Sequence, residues 1–172
     1  MTDRPFLAAL VIAFLLLLLG LMYLGWRRRQ RRQSGIPRPL PVPAEVGEPR
    51  LSLDAFYVAT TVADDPLNRI AVGGLGFRGR AVVAVHDDPS RERGVVLGIA
   101  GEPDAWLPVR HIDRVDRSTA TIDRVVERGG LVRIGWRLGD NAVDTYLRVG
   151  DAASQSALLA ALARLTTTHE GE

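Results

Sequence analysis

An uncharged run of 21 apolar residues, FLAALVIAFLLLLLGLMYLGW at positions 6–26, is followed directly by the arginine-rich segment RRRQRR. Because a helix rises 1.5 Å per residue, the run would be about 31 Å long, which matches a hydrocarbon core of roughly 30 Å. A run without any charge also favours the bilayer over water. The sequence therefore predicts one transmembrane helix at 6–26, behind a short extracytoplasmic N-terminus at 1–5.

A cleaved signal peptide is the alternative for an apolar segment near an N-terminus. Signal peptides have a basic n-region, an apolar core of about 7–15 residues and a small-x-small cleavage site. Here MTDRP is nearly neutral, the apolar run is longer, and bulky or basic residues follow it. These features favour an uncleaved anchor.

The residues that close the apolar run predict its orientation. Tyr23 and Trp26 have amphipathic rings that suit the headgroup level of a bilayer. Five arginines follow them: Arg27, Arg28, Arg29, Arg31 and Arg32. The positive-inside rule then places the N-terminus outside and the C-terminal domain in the cytoplasm of a single-pass protein of the cell (plasma) membrane. The arginines are expected to contact anionic membrane lipids.

Composition excludes several classes of site. The chain has no cysteine, so disulfides, thiolate nucleophiles and thiolate metal sites are excluded. All 22 basic residues are arginine, and this basicity with abundant Ala, Gly, Val and Asp indicates a GC-rich bacterial genome. Residues 1–50 carry a net charge of +5, whereas residues 51–172 carry −3. A net acidic domain is not expected to bind nucleic acid, which requires a basic face.

Residues 27–50 are predicted to be a linker. Its second half holds four alternating prolines: Pro37, Pro39, Pro41 and Pro43. Proline at this spacing blocks both a helix and a central strand, so the segment is expected to be an extended polyproline spacer. Fifteen residues of this kind would reach roughly 45 Å. A PxxP ligand for an SH3-like partner is the alternative interpretation of the same prolines.

Residues 51–166 are enough for one modest core, and most of them have strand character. Candidate strands lie at 56–62, 69–72, 76–86, 94–100 and 106–118. A hairpin at 130–149 is the clearest, because apolar residues alternate with arginine or glycine before a turn at Gly139-Asp140-Asn141. Several short strands at this spacing predict a sandwich or a barrel.

The last element is predicted to be a helix. Asp151 is a suitable N-cap. Four residues then recur at helical spacing and form one apolar stripe: Leu158, Ala161, Leu162 and Leu165. After an all-β run, that stripe is expected to be buried against the sheet. The tail at 167–172 is expected to be disordered.

These strands, the GLVRI…TYLRV hairpin and the C-terminal helix resemble bacterial pleckstrin-homology (PH)-like domains. The stretch YVATT…RIAVGGLGFRGRA is most similar to membrane-anchored PH-like proteins of actinobacteria. The resemblance implies a mainly β fold over residues 51–166, a PH-like β-sandwich or barrel capped by the C-terminal α-helix. Members of this group are largely uncharacterised, and some carry labels such as export or transport protein.

No catalytic, cofactor or metal site is predicted. Residues 74–79 fit G-x-G-x-x-G, but a strand-like segment follows where a dinucleotide fold needs a helix, so a glycine-rich β-turn or bulge is the expected structure. His86 and His111 have no second histidine at ligand spacing and are expected at the surface, and His169 lies in the tail. The serines include no G-x-S-x-G elbow. An enzyme is therefore not expected.

One surface is singled out for a ligand or a partner. Arg69, Arg78 and Arg80 lie beside glycines that allow a close approach to the backbone. The leading hypothesis is a membrane-anchored cytosolic PH-like domain that acts as a protein-interaction or scaffold module for a membrane-proximal protein. The alternative is that the domain binds lipid headgroups or small anions. A third possibility is an accessory subunit of a membrane transport complex.

Overall fold

The computed structural model describes residues 3–32, 35–119 and 130–170. Within the two helices, side chains are described at 8–25, at Arg27 and at 152–167. The chain divides into two compact units, Met1–Gly35 and Ile36–Glu172.

In the described part of the first unit, Asp3–Arg32 form one helix, α1. Its window Ala8–Gly25 has a mean hydropathy of 2.6 and none of it is buried, so by length and composition it could cross a membrane. A signal sequence near an N-terminus meets the same two criteria. The helix continues through the arginine-rich segment, because arginine is a good helix former and no proline or glycine interrupts it before Gly35.

The described residues of the second unit form one antiparallel sheet of eight strands followed by a helix. The strands are β1 Leu51–Val62, β2 Asp65–Arg69, β3 Gly79–His86, β4 Gly94–Ile99, β5 Ala105–Pro108, β6 Ile112–Ser118, β7 Leu131–Leu138 and β8 Asn141–Val149. The strand order is β5-β4-β3-β1-β8-β7-β6, and β2 pairs with β1 outside this path. Two meanders are thus joined through β1 and β8, and the sheet is not closed into a barrel.

The predicted hairpin and C-terminal helix are confirmed. Strands β7 and β8 pair from Val132 opposite Leu147 to Leu138 opposite Asn141, around the turn at Gly139 and Asp140. The helix, α2, runs over Ala152–Glu170. Its predicted stripe is buried: Leu158, Ala161, Leu162 and Leu165 are at most 3% exposed and belong to the main core.

The N-terminus of α2 is capped by Asp151, as its sequence predicts. One carboxylate oxygen of Asp151 accepts the N–H of Ser154 at 2.8 Å, and the other accepts the Ser154 hydroxyl at 2.7 Å. These two bonds hold the pKa of Asp151 below its ordinary value. The helix also continues past residue 166 to Glu170, where the sequence predicts a disordered tail. The hydroxyls of Thr166 and Thr167 bond to carbonyl oxygens one turn back, so these residues are accommodated within the helix.

The strands predicted at 56–62 and 76–86 differ from β1 and β3 only in where they begin, whereas two others differ in kind. One strand is predicted at 69–72, but the observed strand β2 already ends at Arg69. It ends there because Ile70 turns into the core at 0% exposure and glycines of positive φ follow. The strand predicted at 106–118 is split by a 3-10 turn at Val109–His111 into β5 and β6. That turn carries the chain from one edge strand of the sheet to the other.

Part of the segment predicted to be a linker lies on the second unit. Ile36 packs against the main core, and the carbonyl oxygen of Leu40 accepts the backbone N–H of Trp106 on the edge strand β5 at 2.8 Å. Two loops approach the same segment through glycines: a Cβ on Gly139 would lie 2.7 Å from Pro37, and one on Gly73 would lie 3.0 Å from Pro39. We call residues 36–40 the docked segment.

Candidate interaction surface

The three arginines of the predicted ligand surface have different environments. Arg69 is half-buried on β2, and its Nη2 donates to the carbonyl oxygen of Val58 at 3.1 Å. The β1–β8 register shifts between Tyr57 and Ala59, so Val58 is the extra residue of a β-bulge. Arg69 therefore hydrogen-bonds to the backbone of the bulge, whereas Arg78 and Arg80 are exposed.

The structure places Arg80 beside a residue that the sequence analysis did not single out. On β1, Phe56 has Arg80 of β3 as its cross-strand partner on one side and Arg148 of β8 on the other. Both arginines are exposed, and Phe56 is 37% exposed. Cross-strand partners point to the same face of a sheet, so the side chains of Arg80 and Arg148 project on either side of Phe56. No local pattern shows this, because the three positions are 24 and 68 residues apart along the chain.

The loop between β2 and β3 is anchored from inside the domain. Ile70 and Leu75 are at most 1% exposed, and the carbonyl oxygen of Leu75 lies 3.0 Å from the hydroxyl of Tyr57. By contrast, Phe77 in this loop is 78% exposed, and Leu67 on the preceding strand is 84% exposed. A fixed loop thus presents an exposed aromatic side chain next to Arg78.

The Tyr57 hydroxyl that contacts this loop belongs to a buried chain of hydrogen-bonded side chains. The hydroxyl of Tyr57 lies 2.9 Å from Thr60 Oγ1, which lies 2.8 Å from Thr145 Oγ1, and Trp136 Nε1 donates to Thr145 at 2.9 Å. A carbonyl can only accept, so one direction of donation, from Trp136 to Leu75, satisfies every member of the chain. Burial raises the pKa of Tyr57 to about 12, against weaker opposing contributions from Thr60 and Arg69.

The predicted glycine-rich turn is confirmed at residues 74–79. Gly74 has a φ of +83°, and the motif leads into strand β3 and not into a helix. A dinucleotide needs a helix N-terminus at this position for its pyrophosphate. The motif therefore forms the loop that leads into β3 and not a dinucleotide-binding turn.

A second polar cluster lies on the outer face of β6, β7 and β8. Asp144 is 1% exposed, and its two oxygens accept bonds from Arg114 Nη2 at 3.1 and 3.2 Å. Arg133 donates to both carboxylate oxygens of Asp116, and this contact raises the pKa of Arg133 above its ordinary value. Gly135 leaves the space that the cluster needs, because a Cβ there would lie 3.1 Å from Asp144. This cluster binds strands together through paired charges.

His86 is not at the surface, where its sequence neighbours predict it to lie. It is 5% exposed at the end of β3, with its ring edge-on to Trp106 at a centroid distance of 6.0 Å. His111 lies in the 3-10 turn, where partial burial and then the charge of Arg110 lower its pKa. Among the described residues, no group of three or more His, Asp or Glu side chains could hold a metal ion.

The predicted membrane-interface residues lie on α1. Tyr23 is 53% exposed and Arg27 is exposed. The other members fall within the helical backbone, but their side chains lie outside the described residues: Trp26, Arg28, Arg29, Arg31 and Arg32.

Comparison with known proteins assigns the second unit. A family model described as "Bacterial PH domain-like" matches residues 36–163. The match begins at the residue where the second unit begins, so it includes the docked segment. No curated protein matches the chain.

Proposed function

Because the chain belongs to the bacterial PH domain-like family, we propose that it is a non-enzymatic interaction module held at a membrane by its N-terminal helix. Domains of this family typically have no catalytic activity. The function would therefore lie in what the surface of the second unit binds.

The observation that carries the proposal is the composition of α1. The window Ala8–Gly25 has no charged residue, and none of it is buried by the rest of the chain. An apolar surface of this length requires a bilayer or another protein to cover it. The arginines after it support a cytoplasmic location for the domain, at the cell membrane.

The docked segment belongs to the folded second unit and not to a free spacer. An anchor of this kind would hold the domain on one membrane, where a membrane protein meets it at a high effective concentration.

Proximity labelling in cells tests the proposal. A biotin ligase is fused to the C-terminus of the full chain and, as a matched control, to residues 1–35 alone. We expect membrane proteins that are labelled only by the full chain, because only it carries the domain. Identical sets of labelled proteins from the two fusions would contradict an interaction role.

A second candidate, contact with anionic lipid headgroups, is favoured by the exposed apolar side chains of Leu67 and Phe77 and by the exposed Arg78 that follows Phe77. Apolar side chains among arginines suit a headgroup layer. The chain has no cysteine, so Phe77→Cys can carry a single environment-sensitive fluorophore, with the exposed helix position Ala160→Cys as control. A blue shift at residue 77 alone, in vesicles with anionic lipid, would favour this candidate. Equal spectra at the two sites would exclude it.

A further inference from the structure

The outer face of β1 and β3 carries a small square of side chains of mixed character. Phe56 on β1 is opposite Arg80 on β3, and Asp54 on β1 is opposite Val82 on β3. Residues two apart on a strand share a face, so all four project from the same side of the sheet. One diagonal of the square, from Phe56 to Val82, is apolar, and the other, from Asp54 to Arg80, is charged.

This square is open to solvent. Phe56 is 37% and Val82 is 44% exposed, and both Asp54 and Arg80 are exposed. Two shallow depressions of about 490 and 400 Å³ flank it, and both are lined by Asp54 and Arg80. The second depression reaches Gly98, which has no side chain to fill the surface beside Val82.

The two charges of the square have no partner within the described part of the chain. No ion pair or hydrogen bond joins the side chain of Asp54 or of Arg80 to another described residue. Elsewhere on the outer face, Arg114 and Arg133 are paired with Asp144 and Asp116. The square thus keeps one acid and one base that are available to a partner.

We propose that this square is a self-association surface, at which a second copy of the chain docks through a two-fold axis along the Phe56–Val82 diagonal. Such an axis places Phe56 on its own counterpart and Val82 on its own counterpart. It also places each Asp54 opposite the Arg80 of the other copy, so two ion pairs form. A contact between identical patches must be self-complementary in this way.

The charge balance of the square favours this occupant over others. Asp104 and Arg148 also line the two depressions, so the face around the square carries two acids and two bases. An acidic peptide or an anionic lipid surface would meet both signs, so attraction and repulsion would largely cancel. A second copy matches both signs at once. The proposal does not depend on which protein or lipid the rest of the domain binds.

Cysteine cross-linking of the full chain in proteoliposomes tests the geometry. In the cysteine-free chain, Val82→Cys lies on the proposed axis, and Leu67→Cys is a control on β2 that is more exposed, at 84% against 44%. We expect mild oxidation to give a disulfide-linked dimer for Val82→Cys and little for Leu67→Cys. Random collisions would link the more exposed control at least as well, and that result, or no dimer at Val82→Cys, would overturn the proposal.

Charge reversal in the Val82→Cys background tests the ion pairs. Asp54→Arg alone and Arg80→Asp alone should each reduce the cross-linked fraction several-fold, because like charges then meet across the axis. The double variant should recover the dimer, and so should an equal mixture of the two single variants, since both arrangements restore two opposite pairs. Thermal melting of each variant checks that it is folded. Failure of both recoveries in folded variants would overturn the proposal.

Discussion

The carbonyl oxygen of Leu40 accepts the backbone N–H of Trp106 at 2.8 Å, which pairs the docked segment with the edge strand β5. A proline-rich segment cannot enter the middle of a sheet, but it can lie along an edge, where only some of its backbone groups are needed. The pairing covers part of an edge that would otherwise offer its backbone groups to another chain.

Gly139→Ala tests the docked segment. Gly139 has a φ of +61°, and a Cβ there would lie 2.7 Å from Pro37. Gly101 is the matched control, because its φ is +86° and nothing lies within 4 Å of its Cβ position. Gly101→Ala should cost the left-handed strain alone, about 1–2 kcal/mol of unfolding free energy.

Gly139→Ala should lower the unfolding free energy by more than this control does, because it also displaces Pro37. Adding Pro37→Ala should recover part of the difference. Denaturant unfolding followed by tryptophan fluorescence measures the unfolding free energies of the parent chain, the two glycine variants and the double variant. Equal losses for the two glycine variants would mean that the segment is not docked in solution.

Leu162→Asp tests the packing of α2. Leu162 is 0% exposed in the main core, so the substitution loses a buried side chain and brings a carboxylate into its place. Truncation of a core leucine alone costs about 2–5 kcal/mol, so the domain is expected to unfold. Ala160→Asp, at an exposed position of the same helix, should melt close to the parent chain. Similar melting of both variants would argue that α2 does not dock on the sheet.

Stability should fall at alkaline pH because of Tyr57. Its pKa is about 12 in the folded domain and near 10 when unfolded, so the folded state holds its proton more tightly. This contribution is complete below pH 10 and is lost as the pH rises towards 12, by roughly 3 kcal/mol in total. Lysine and cysteine are absent, so their titration does not overlap with this window.

Tyr57→Phe should remove most of this alkaline loss, although it costs stability at neutral pH because the Leu75 carbonyl loses its donor. Tyr146→Phe is the control, since burial and then the nearby Asp144 raise the pKa of Tyr146 too. Unfolding free energies at pH 9 and pH 11.5 measure the effect. An unchanged pH slope in Tyr57→Phe would show that this tyrosine is not the group responsible.

Asp144→Asn tests the charge cluster on the outer face. Asp144 is 1% exposed and binds Arg114 through both oxygens, so the substitution should cost about 1–3 kcal/mol of unfolding free energy. Asp113→Asn breaks an exposed ion pair with Arg137, at 3.7 Å, and should change stability by less than about 1 kcal/mol. Urea unfolding compares the two, and equal effects would mean that burial of Asp144 contributes nothing.

The parts of the fold that local pattern determines were predictable from the sequence. The β7–β8 hairpin follows from alternation around Gly139, and the stripe at Leu158, Leu162 and Leu165 follows from helical spacing. These features depend on neighbours at most a few residues away. The apolar helix at the N-terminus is readable for the same reason.

The surface features could not be read in this way, because they depend on the register of distant strands. The bulge at Val58 shifts the faces of β1, and Arg80 and Arg148 meet Phe56 only once β1 pairs with both β3 and β8. His86 has the sequence neighbours of a surface residue, yet Trp106 from β5 packs against it. Proline alternation correctly excludes helix and central strand in the docked segment, but it cannot show that an edge strand accepts it.

The proposed function depends on membrane attachment and orientation, and paired reporter fusions at the C-terminus of the full chain test both most directly. We predict that a fluorescent-protein fusion is bright, that an alkaline phosphatase fusion is inactive, and that both are found at full length in carbonate-washed membranes. An active phosphatase with a dark fluorescent protein would reverse the orientation. A shortened chain in the soluble fraction would show that residues 6–26 are a cleaved signal and not an anchor.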